Sequence, residues 1–506
     1  MPPPRAWLYP KPGMAGVVAL GELPSGMESP LDEWAQEELA SLDFGHRARN
    51  RRAVRVLDAM VRRPLGTPCA TFPRAALRKG TYRFLASRHC AHTGLIDAMG
   101  RATARRCQGL PFVLVAIDGS SAAHTDRDGT HGVGSIGSRR SRGLGIKIMA
   151  AVAMTLDGVE LGLADLRLWA RPMTPDPVPH SARALEDKES HHWTACQHAF
   201  ERRLRAEGVE ARPWYLMDAE ADALHVLLRG LEGTRFTVRM THNRNLAART
   251  LDRSDRAELK VLDALAGQPP DGTMWQHIPH PHKGPARTAC LTVRWLSVGV
   301  RLREQRSGRL AGNVPLTVVW VREEVGVPEG QEPLEWLLWT SAPVRTFEEA
   351  VWVVRTYGRR FRIEGVFLGA KSGACAVERA QLKSFEGLAR WITLGLSVAV
   401  RRQSLLHRSR EEPDVPADVA FSRDEIDGAL LLYRLHRKNA EQPGETPTLG
   451  RMVTLIAELG GYVGRSSGGP PGLVNFSRGM DRVETAVCLL LAQRQGPTPP
   501  SPDGIG

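Results

Sequence analysis

The residues best suited to chemistry lie in one segment, residues 346–372, with the sequence TFEEAVWVVRTYGRRFRIEGVFLGAKS. Thr346 is followed three residues later by Glu349, a capping-box pattern that predicts the start of a helix. At about 100° per residue, one acid, two cations and an aromatic hydroxyl fall within an arc of about 60° on that helix: Tyr357, Arg360, Glu364 and Lys371. A carboxylate among phosphate-binding groups suits a metal-dependent DNA-cutting site, because the acid holds a cation while the basic groups hold the DNA backbone. For this segment taken alone, a salt-bridged helix face in solvent is the alternative.

Two further acids follow apolar segments that have the pattern of buried strands. Asp118 ends FVLVAID (residues 112–118), and Asp218 ends WYLMD (residues 214–218). Because the strand ends of an α/β sheet meet at one edge, we expect both aspartates there, with Glu364 supplied by a helix packed over that edge. For either aspartate alone, a turn or a helix cap is the alternative.

The chemistry of this predicted acid set is that of a hard cation. Three carboxylates without cysteines or paired histidines favour Mg²⁺ or Mn²⁺ over zinc. Two such ions could activate a water or a 3′-hydroxyl and stabilise the leaving oxygen of an in-line phosphoryl transfer. Asp118, Asp218 and Glu364 therefore predict a metal-dependent phosphoryl-transfer site.

The elements that must position these acids alternate between strand and helix after residue 108. The Asp157-Gly158 pair predicts a tight hairpin turn, and residues 241–340 have a β pattern with Gly and Pro turns. We predict an α/β fold with a β-rich insertion in its core and helical domains on either side. The predicted domains are a disordered arm at 1–30, a basic helical DNA-binding domain at 31–108, a catalytic core at 109–390 with the insertion at about 241–340, a helical C-terminal domain at 391–495 and a disordered tail at 496–506.

The charge of the chain favours a polyanionic partner. The 506 residues carry a net charge of +13, which suits nucleic acid without identifying it. Seven arginines fall within one short N-terminal segment: Arg47, Arg49, Arg51, Arg52, Arg55, Arg62 and Arg63. An exposed helix face is the alternative, but such a run is self-repulsive unless phosphates lie near it.

Cysteine usage and hydropathy predict a cytoplasmic protein without a membrane partner. The seven cysteines are scattered with no CxxC pair, so neither a disulfide framework nor a zinc site is expected. The longest uncharged apolar stretch, residues 391–400, is too short to cross a bilayer.

Two motifs are expected to carry no cofactor. Residues 132–137 have GxGxxG spacing but follow a polar stretch and precede a strand pattern. A dinucleotide loop needs a strand before it and a helix after it, so we expect a flexible basic loop near DNA and no nucleotide cofactor. His277, His280 and His282 lie in a Pro-rich turn without further ligands, and we expect a surface loop there.

The spacing of Tyr357, Arg360, Glu364 and Lys371 matches the YREK signature of the IS4-like transposases, the Tn5-like group. Further segments resemble that family in the same order along the chain, and together they cover most of residues 30–490. These segments are DFGHRARNRRAVRVL, GTYRFL, AIDGSS, GSIGSRRSRG, DKESHHW, LMDAEAD, PLEWLLWTSAPV and LGGYVGRSSGGPPG.

The resemblance implies a DDE transposase with an RNase H-like core, in which Asp118, Asp218 and Glu364 hold the metal ions. It implies cut-and-paste transposition through nicking, hairpin formation and resolution, and strand transfer. Transposon-end DNA, target DNA and a second copy of the chain would be the partners in a synaptic complex of the bacterial nucleoid. Arg239 would support the site, and Trp336 would stack on a base flipped out of the helix, although Trp336 alone reads as a core residue. The expected DNA-binding residues are Tyr357, Arg360, Lys371, Trp336, Arg239, Arg47, Arg49, Arg51, Arg52, Tyr82, Arg83 and Arg142.

Some positions depart from the family pattern. Ala219 stands where relatives often carry Arg, Phe361 stands in place of Trp, and Gly119-Ser120 replaces a Thr pair. None of these removes a predicted ligand. Two other functions stay open: an RNase H-like DNA nuclease that does not transpose, and a domesticated DNA-binding protein that has lost catalysis.

Overall fold

The computed structural model describes residues 33–63, 66–72, 74–127, 129–137, 143–174, 177–179, 182–246, 260–278, 287–304, 307–371, 373, 375–436, 444, 446–464 and 469–494. The described residues form two compact units. One unit takes them from Met1–Pro111, Leu204–Ala211 and Leu368–Gly506, and the other from Phe112–Arg203 and Arg212–Phe367.

Helices and strands follow the predicted alternation. The helices are α1 Glu33–Glu38, α2 Arg47–Arg62, α3 Pro68–Thr71, α4 Ala75–Leu85, α5 His92–Arg106, α6 His191–Ala206, α7 Leu224–Leu228, α8 Val261–Ala266, α9 Phe347–Gly358, α10 Arg362–Lys371, α11 Phe385–Glu411, α12 Arg423–His436, α13 Leu449–Leu459 and α14 Leu473–Arg494. The strands are β1 Phe112–Ala123, β2 Gly134–Ser135, β3 Leu144–Met154, β4 Glu160–Trp169, β5 Arg212–Met217, β6 Arg235–Arg239, β7 Gly272–Ile278, β8 Arg287–Arg303, β9 Leu310–Glu323 and β10 Glu335–Thr340.

Within the described residues, the ten strands form one mixed sheet. Its order is β2-β3-β1-β5-β6-β10-β9-β8-β7, with β4 paired to β3. The central strands β1, β5 and β6 are parallel, and the others pair in antiparallel fashion. The run Val113–Ile117 is fully buried, as expected for a parallel strand that is covered on both faces. The predicted α/β class is confirmed, and the mixed sheet with helical flanks is compatible with an RNase H-like core.

The hairpin predicted at Asp157-Gly158 is confirmed between β3 and β4. Gly158 has φ +87°, a left-handed conformation that glycine adopts without a Cβ clash. Its amide donates to the Thr155 carbonyl at 2.9 Å, and the Thr155 amide donates to the Val159 carbonyl at 2.9 Å.

The predicted β-rich insertion extends the same sheet. Strands β7 to β10 pair in antiparallel order, and β10 returns beside β6, where Leu338 lies opposite Arg239. The insertion therefore leaves the core after β6 and returns to that strand before α9 begins.

Two local predictions were wrong. β1 does not end at Asp118, because its pairing with β3 continues to Ala123, opposite Gly145. The signature segment is not one α-helix, because a 3₁₀ turn at Arg359–Phe361 separates α9 from α10. Thr346 does cap α9, where its hydroxyl accepts from the Glu349 amide at 3.3 Å.

The other unit is helical, as the patterns before residue 108 and after residue 390 predict. The central helix α11 buries Trp391, whose indole donates to the Gly66 carbonyl at 3.2 Å. Its Arg390 guanidinium donates to the carbonyls of Leu85 and Cys90. A separate apolar cluster joins α12, α13 and α14, with Ile426, Leu455 and Phe476 at its centre. None of the described helices is long and apolar enough to cross a membrane.

Candidate active site

Asp118 and Asp218 lie side by side because their strands are parallel neighbours. Ile117 of β1 lies opposite Met217 of β5, and each aspartate is the next residue of its chain segment. The Asp218 carboxylate accepts from the Glu220 amide at 2.9 Å and caps a 3₁₀ turn, Ala219–Ala221. The Asp118 carboxylate accepts from the Gly119 amide at 2.9 Å. The register of β1 and β5 thus places the two aspartates next to each other, directly after paired residues.

Arg360 connects the third acid to this pair. Its Nη1 donates to Asp118 Oδ2 at 3.1 Å, and its Nη2 donates to Glu364 Oε1 at 3.4 Å. The Arg360 side chain is 8% exposed, whereas that of Glu364 is 58% exposed. Residues that lie more than 240 positions apart in the sequence therefore meet in one charged group.

The charge of the group is not balanced at Asp118. The pKa of Asp118 is raised to about 6, chiefly by burial and also by the carboxylates of Asp218 and Glu364, while Arg360 and the Gly119 amide lower it. Among the described residues, no three His, Cys, Asp or Glu side chains lie close enough to hold a metal ion as they stand. The donor type still fits Mg²⁺ or Mn²⁺, which take carboxylate oxygens, and a cation would offset the excess negative charge at Asp118.

An aromatic cluster adjoins Arg360. The Trp336 ring stacks on Phe361 with centroids 5.8 Å apart and 29° between the planes, and it forms an edge-to-face pair with Tyr357 with centroids 5.5 Å apart. The Arg360 guanidinium lies 4.5 Å from the centroid of Phe361. Trp336 and Tyr357 are buried, whereas Phe361 is 38% exposed. The sequence singled out Phe361 only as a departure from the family pattern, and its exposed position beside Arg360 is a finding of the structure.

Tyr357 and Arg239 belong to the same neighbourhood. Burial raises the pKa of Tyr357 to about 12, while Arg360 and Arg239 lower it and Asp218 raises it. The Tyr357 hydroxyl is therefore a proton donor near neutral pH. Arg239 ends β6 and lies at the surface, with its Nη2 3.5 Å from the Glu335 carbonyl. Tyr357 thus lies near Asp218, and Arg239 lies near Tyr357.

Lys371 is the last residue of α10. Because an α-helix rises about 1.5 Å per residue, Lys371 lies about 10 Å along the helix axis from Glu364. The 3₁₀ turn shifts the predicted angular relation of Tyr357 to Arg360 and Glu364, because such a turn advances about 120° per residue. The arrangement along α10 itself, from Glu364 to Lys371, follows the predicted α-helical spacing.

The basic N-terminal residues lie on α2 and α4. Arg47 and Arg51 are exposed, while Arg49 and Arg52 are half-buried. Arg49 Nη1 donates to the Phe44 carbonyl at 3.0 Å. On α4, Arg83 is exposed, and Tyr82 is 38% exposed with its hydroxyl 3.2 Å from Cys69 Sγ. Arg142 lies outside the described residues.

Both motifs set aside in the sequence contain strand residues, and the surface loop expected at His277 is wrong. The GxGxxG segment contains β2, a two-residue strand that pairs with β3, and β3 follows it where a dinucleotide loop would continue into a helix. His277 lies on β7 and pairs with Thr288. His280 and His282 lie outside the described residues.

The sequence reasoning missed Asp222, four residues after Asp218. Its side chain is fully buried and bonded to the segment that follows β6. The only sequence signal was the third acid of the segment LMDAEAD.

Comparison with known families locates one match, in the helical N-terminal region. Residues 31–90 match a family model described as transposase DNA-binding. The match spans α2 and α4, which carry Arg47, Arg51, Tyr82 and Arg83. It supports a transposase that binds DNA through this region.

Proposed function

We propose that this chain is a DDE transposase of the IS4-like, Tn5-like group that moves its element by cut-and-paste transposition. The observation that carries the proposal is that Arg360 bonds both Asp118 and Glu364, while Asp218 follows the parallel strand beside Asp118, in a chain with a transposase DNA-binding match. The reaction would comprise nicking at the element's ends, hairpin formation and resolution, and strand transfer into target DNA. A homodimer holding both ends in a synaptic complex belongs to the proposal.

The acids would hold Mg²⁺ or Mn²⁺, which when bound activates a water or a 3′-hydroxyl and stabilises the leaving oxygen. Arg360 bonds Asp118 and Glu364 in their present arrangement, and its buried guanidinium is also the kind of group that binds a phosphate in bidentate fashion. The Tyr357 hydroxyl remains a donor because its pKa is raised to about 12. Arg239 and Lys371 would add phosphate contacts on either side.

The proposed base-stacking role of Trp336 needs a side-chain movement. The indole is 8% exposed, and Phe361 stacks on its face. A flipped base can reach that face only after Phe361 has moved aside, because Phe361 already stacks on it.

A catalytically silent DNA-binding protein is the second candidate. The observation in its favour is that Arg360 engages Asp118 and Glu364 directly, and no ready-made metal cluster exists among the described residues. In such a protein, Asp118 and Glu364 would serve only as ion-pair partners of the buried Arg360.

A cleavage assay separates these functions. The full chain is incubated with a duplex that carries the inverted repeats flanking its gene, in Mg²⁺ or Mn²⁺, and the products are resolved on a denaturing gel. A transposase gives nicks, hairpins and joined products with a second DNA. A nuclease gives nicks without joining, and a silent protein shifts the duplex on a native gel without cutting it. Binding should weaken linearly with log salt, with a slope of about −0.9 per phosphate neutralised.

A further inference from the structure

A fully buried carboxylate close to the site has no part in the proposed chemistry. Asp222 lies four residues after Asp218, and its side chain is 0% exposed. A buried charge without partners would be strongly destabilising. The partners of Asp222 therefore show what the residue does.

Among the described residues, the hydrogen-bond partners of the Asp222 carboxylate come from one segment, Thr241 to Arg244. The Oδ2 atom accepts from the backbone amides of Thr241 at 2.8 Å and His242 at 2.9 Å, and from the Thr241 hydroxyl at 3.1 Å. The Oδ1 atom accepts from Arg244 Nη1, while Arg244 Nη2 donates to the Asp222 carbonyl at 3.0 Å. One carboxylate thus fastens the segment after β6 to the segment after β5.

The turn that Asp222 closes also sets the position of Asp218. The Asp222 amide donates to the Ala219 carbonyl at 3.2 Å, and the Ala221 amide donates to the Asp218 carbonyl at 3.2 Å. The Asp218 carboxylate accepts from the Glu220 amide at the start of the same turn. Movement of Asp222 would therefore shift the turn from which the Asp218 carboxylate projects.

The segment bonded to Asp222, Thr241 to Arg244, also sets the position of Arg239 and of the point where the insertion leaves the core. Arg239 lies two residues before Thr241, at the end of β6. The Arg244 carbonyl accepts from the Val261 amide at 3.1 Å, and Asn245 forms a bridge with Lys260. Because β5 and β6 are parallel, both clamped segments leave the sheet at the same edge.

We propose that Asp222 is a positioning residue, which holds Asp218 and Arg239 in the geometry that metal binding and DNA cleavage require. The inference rests on the proposed function, because it assigns Asp222 a role only in a site that uses Asp218 as a ligand. Residues that hold a metal ligand in place typically contribute tenfold to a hundredfold to metal affinity or activity.

The test variant is Asp222→Asn in the full chain, with Arg244→Gln as a milder second variant that keeps the backbone donors. Two quantities are measured as the Mn²⁺ concentration is raised. One is the rate at which the flanking-repeat duplex is cleaved, and the other is the increase in the thermal unfolding midpoint of the protein. The second readout reports metal binding without cleavage. Arg244→Gln carries the test if Asp222→Asn does not fold.

Asp165→Asn is the matched control. Asp165 is a buried acid of the same unit, bonded to Arg167 at 2.6 Å and Arg203 at 2.8 Å. Its loss should lower stability as the loss of Asp222 does, but should leave the Mn²⁺ requirement unchanged.

We expect Asp222→Asn to raise the Mn²⁺ concentration for half-maximal effect by about tenfold to a hundredfold in both readouts, with binding of the duplex retained. Arg244→Gln should change it in the same direction by a smaller factor. An unchanged Mn²⁺ requirement in both variants, or an equal rise in Asp165→Asn, overturns the proposal. A wild-type chain that neither cuts nor responds to Mn²⁺ overturns the proposed function itself, and the positioning role with it.

Discussion

Asp118 and Asp165 lie on neighbouring residue rows of the same sheet, but on opposite faces and with different ionic partners. Asp165 of β4 lies opposite Ala151, which lies opposite Ile117, and Asp118 is the next residue of β1. Since neighbouring residues of a strand point to opposite faces, Asp165 and Asp118 project from different faces. α6 supplies Arg203 to the Asp165 face, whereas Arg360 lies on the Asp118 face.

The two acids differ in how fully their charge is balanced. Asp165 is 1% exposed and has two guanidinium partners, Arg167 and Arg203. Asp118 shares one guanidinium with Glu364, lies beside Asp218, and has a pKa raised to about 6. Asp165 is thus fully paired, whereas Asp118, which we propose as a metal ligand, keeps capacity for a further cation.

Loss of cleavage on removal of a site acid is the largest expected effect. Asp118→Ala, Asp218→Ala and Glu364→Ala should each reduce cutting of the flanking-repeat duplex below detection in Mg²⁺. Binding of the duplex should persist, because it depends on cations and not on these carboxylates. Gel analysis of cleavage beside a native-gel binding assay checks both. Asp165→Asn should still cut, and a site variant that cuts at a near wild-type rate would exclude that acid from the site.

Removal of the fully paired acid should instead affect stability. Asp165→Ala leaves Arg167 and Arg203 without their common partner on the buried face, which should cost about 3–5 kcal/mol in the free energy of unfolding. Urea denaturation followed by tryptophan fluorescence measures the change. A loss below about 1 kcal/mol would mean that both arginines find other acceptors, and the contrast with Asp118 would then be one of position alone.

Much of this site could be predicted from local patterns. The apolar runs before Asp118 and Asp218 predict strands, and the Thr346–Glu349 pattern predicts the start of α9, because these signals depend on near neighbours in the sequence. The end of β1 was misjudged, because its extension depends on pairing with β3 and not on its own residues. The 3₁₀ turn and the role of Asp222 were missed for the same reason, since their partners are set by tertiary packing. The burial of Trp336 likewise follows from Phe361 and Tyr357, which lie in later elements.

Neutralising Asp118 should raise the stability of the folded protein above neutral pH, whereas neutralising Asp165 should lower it. The folded-state pKa of Asp118 is raised from 3.8 to about 6, so the folded protein favours the protonated acid. Its stabilising contribution is present below about pH 4 and is lost as pH rises through about 6. Asp118→Asn cannot lose a proton, and in metal-free buffer it should be about 2–3 kcal/mol more stable than wild type above pH 7, with no difference below pH 4. Asp165→Asn should be less stable than wild type at pH 8. A pH-independent effect of Asp118→Asn in urea titrations at pH 4 and 8 would show that Asp118 is balanced like Asp165.

The smallest expected effect is on the rate of hairpin formation. The test compares Trp336, which lies in the aromatic cluster of the proposed site, with Trp352, which lies outside that cluster. Trp336 stacks on Phe361, whose ring also contacts Arg360, while Trp352 is a half-exposed residue of α9 whose ring centroid lies 6.2 Å from that of Trp214. Stacking on a flipped base contributes about 1–3 kcal/mol, so Trp336→Ala should slow hairpin formation by about tenfold to a hundredfold. The first nick should be nearly unchanged, because it requires water, metal and an in-line phosphodiester but no flipped base.

A time course on a denaturing gel separates the nicked and hairpin products. A substrate that lacks the base at the flipped position should partly restore the hairpin step in Trp336→Ala, because the missing base no longer has to leave the stack. Trp352→Ala should leave both steps unchanged, which controls for the loss of an aromatic side chain from the same unit. Equal slowing of nicking and hairpin formation by Trp336→Ala, without rescue, would instead assign Trp336 to the core. Its 8% exposure would then reflect packing against Phe361 and Tyr357 alone.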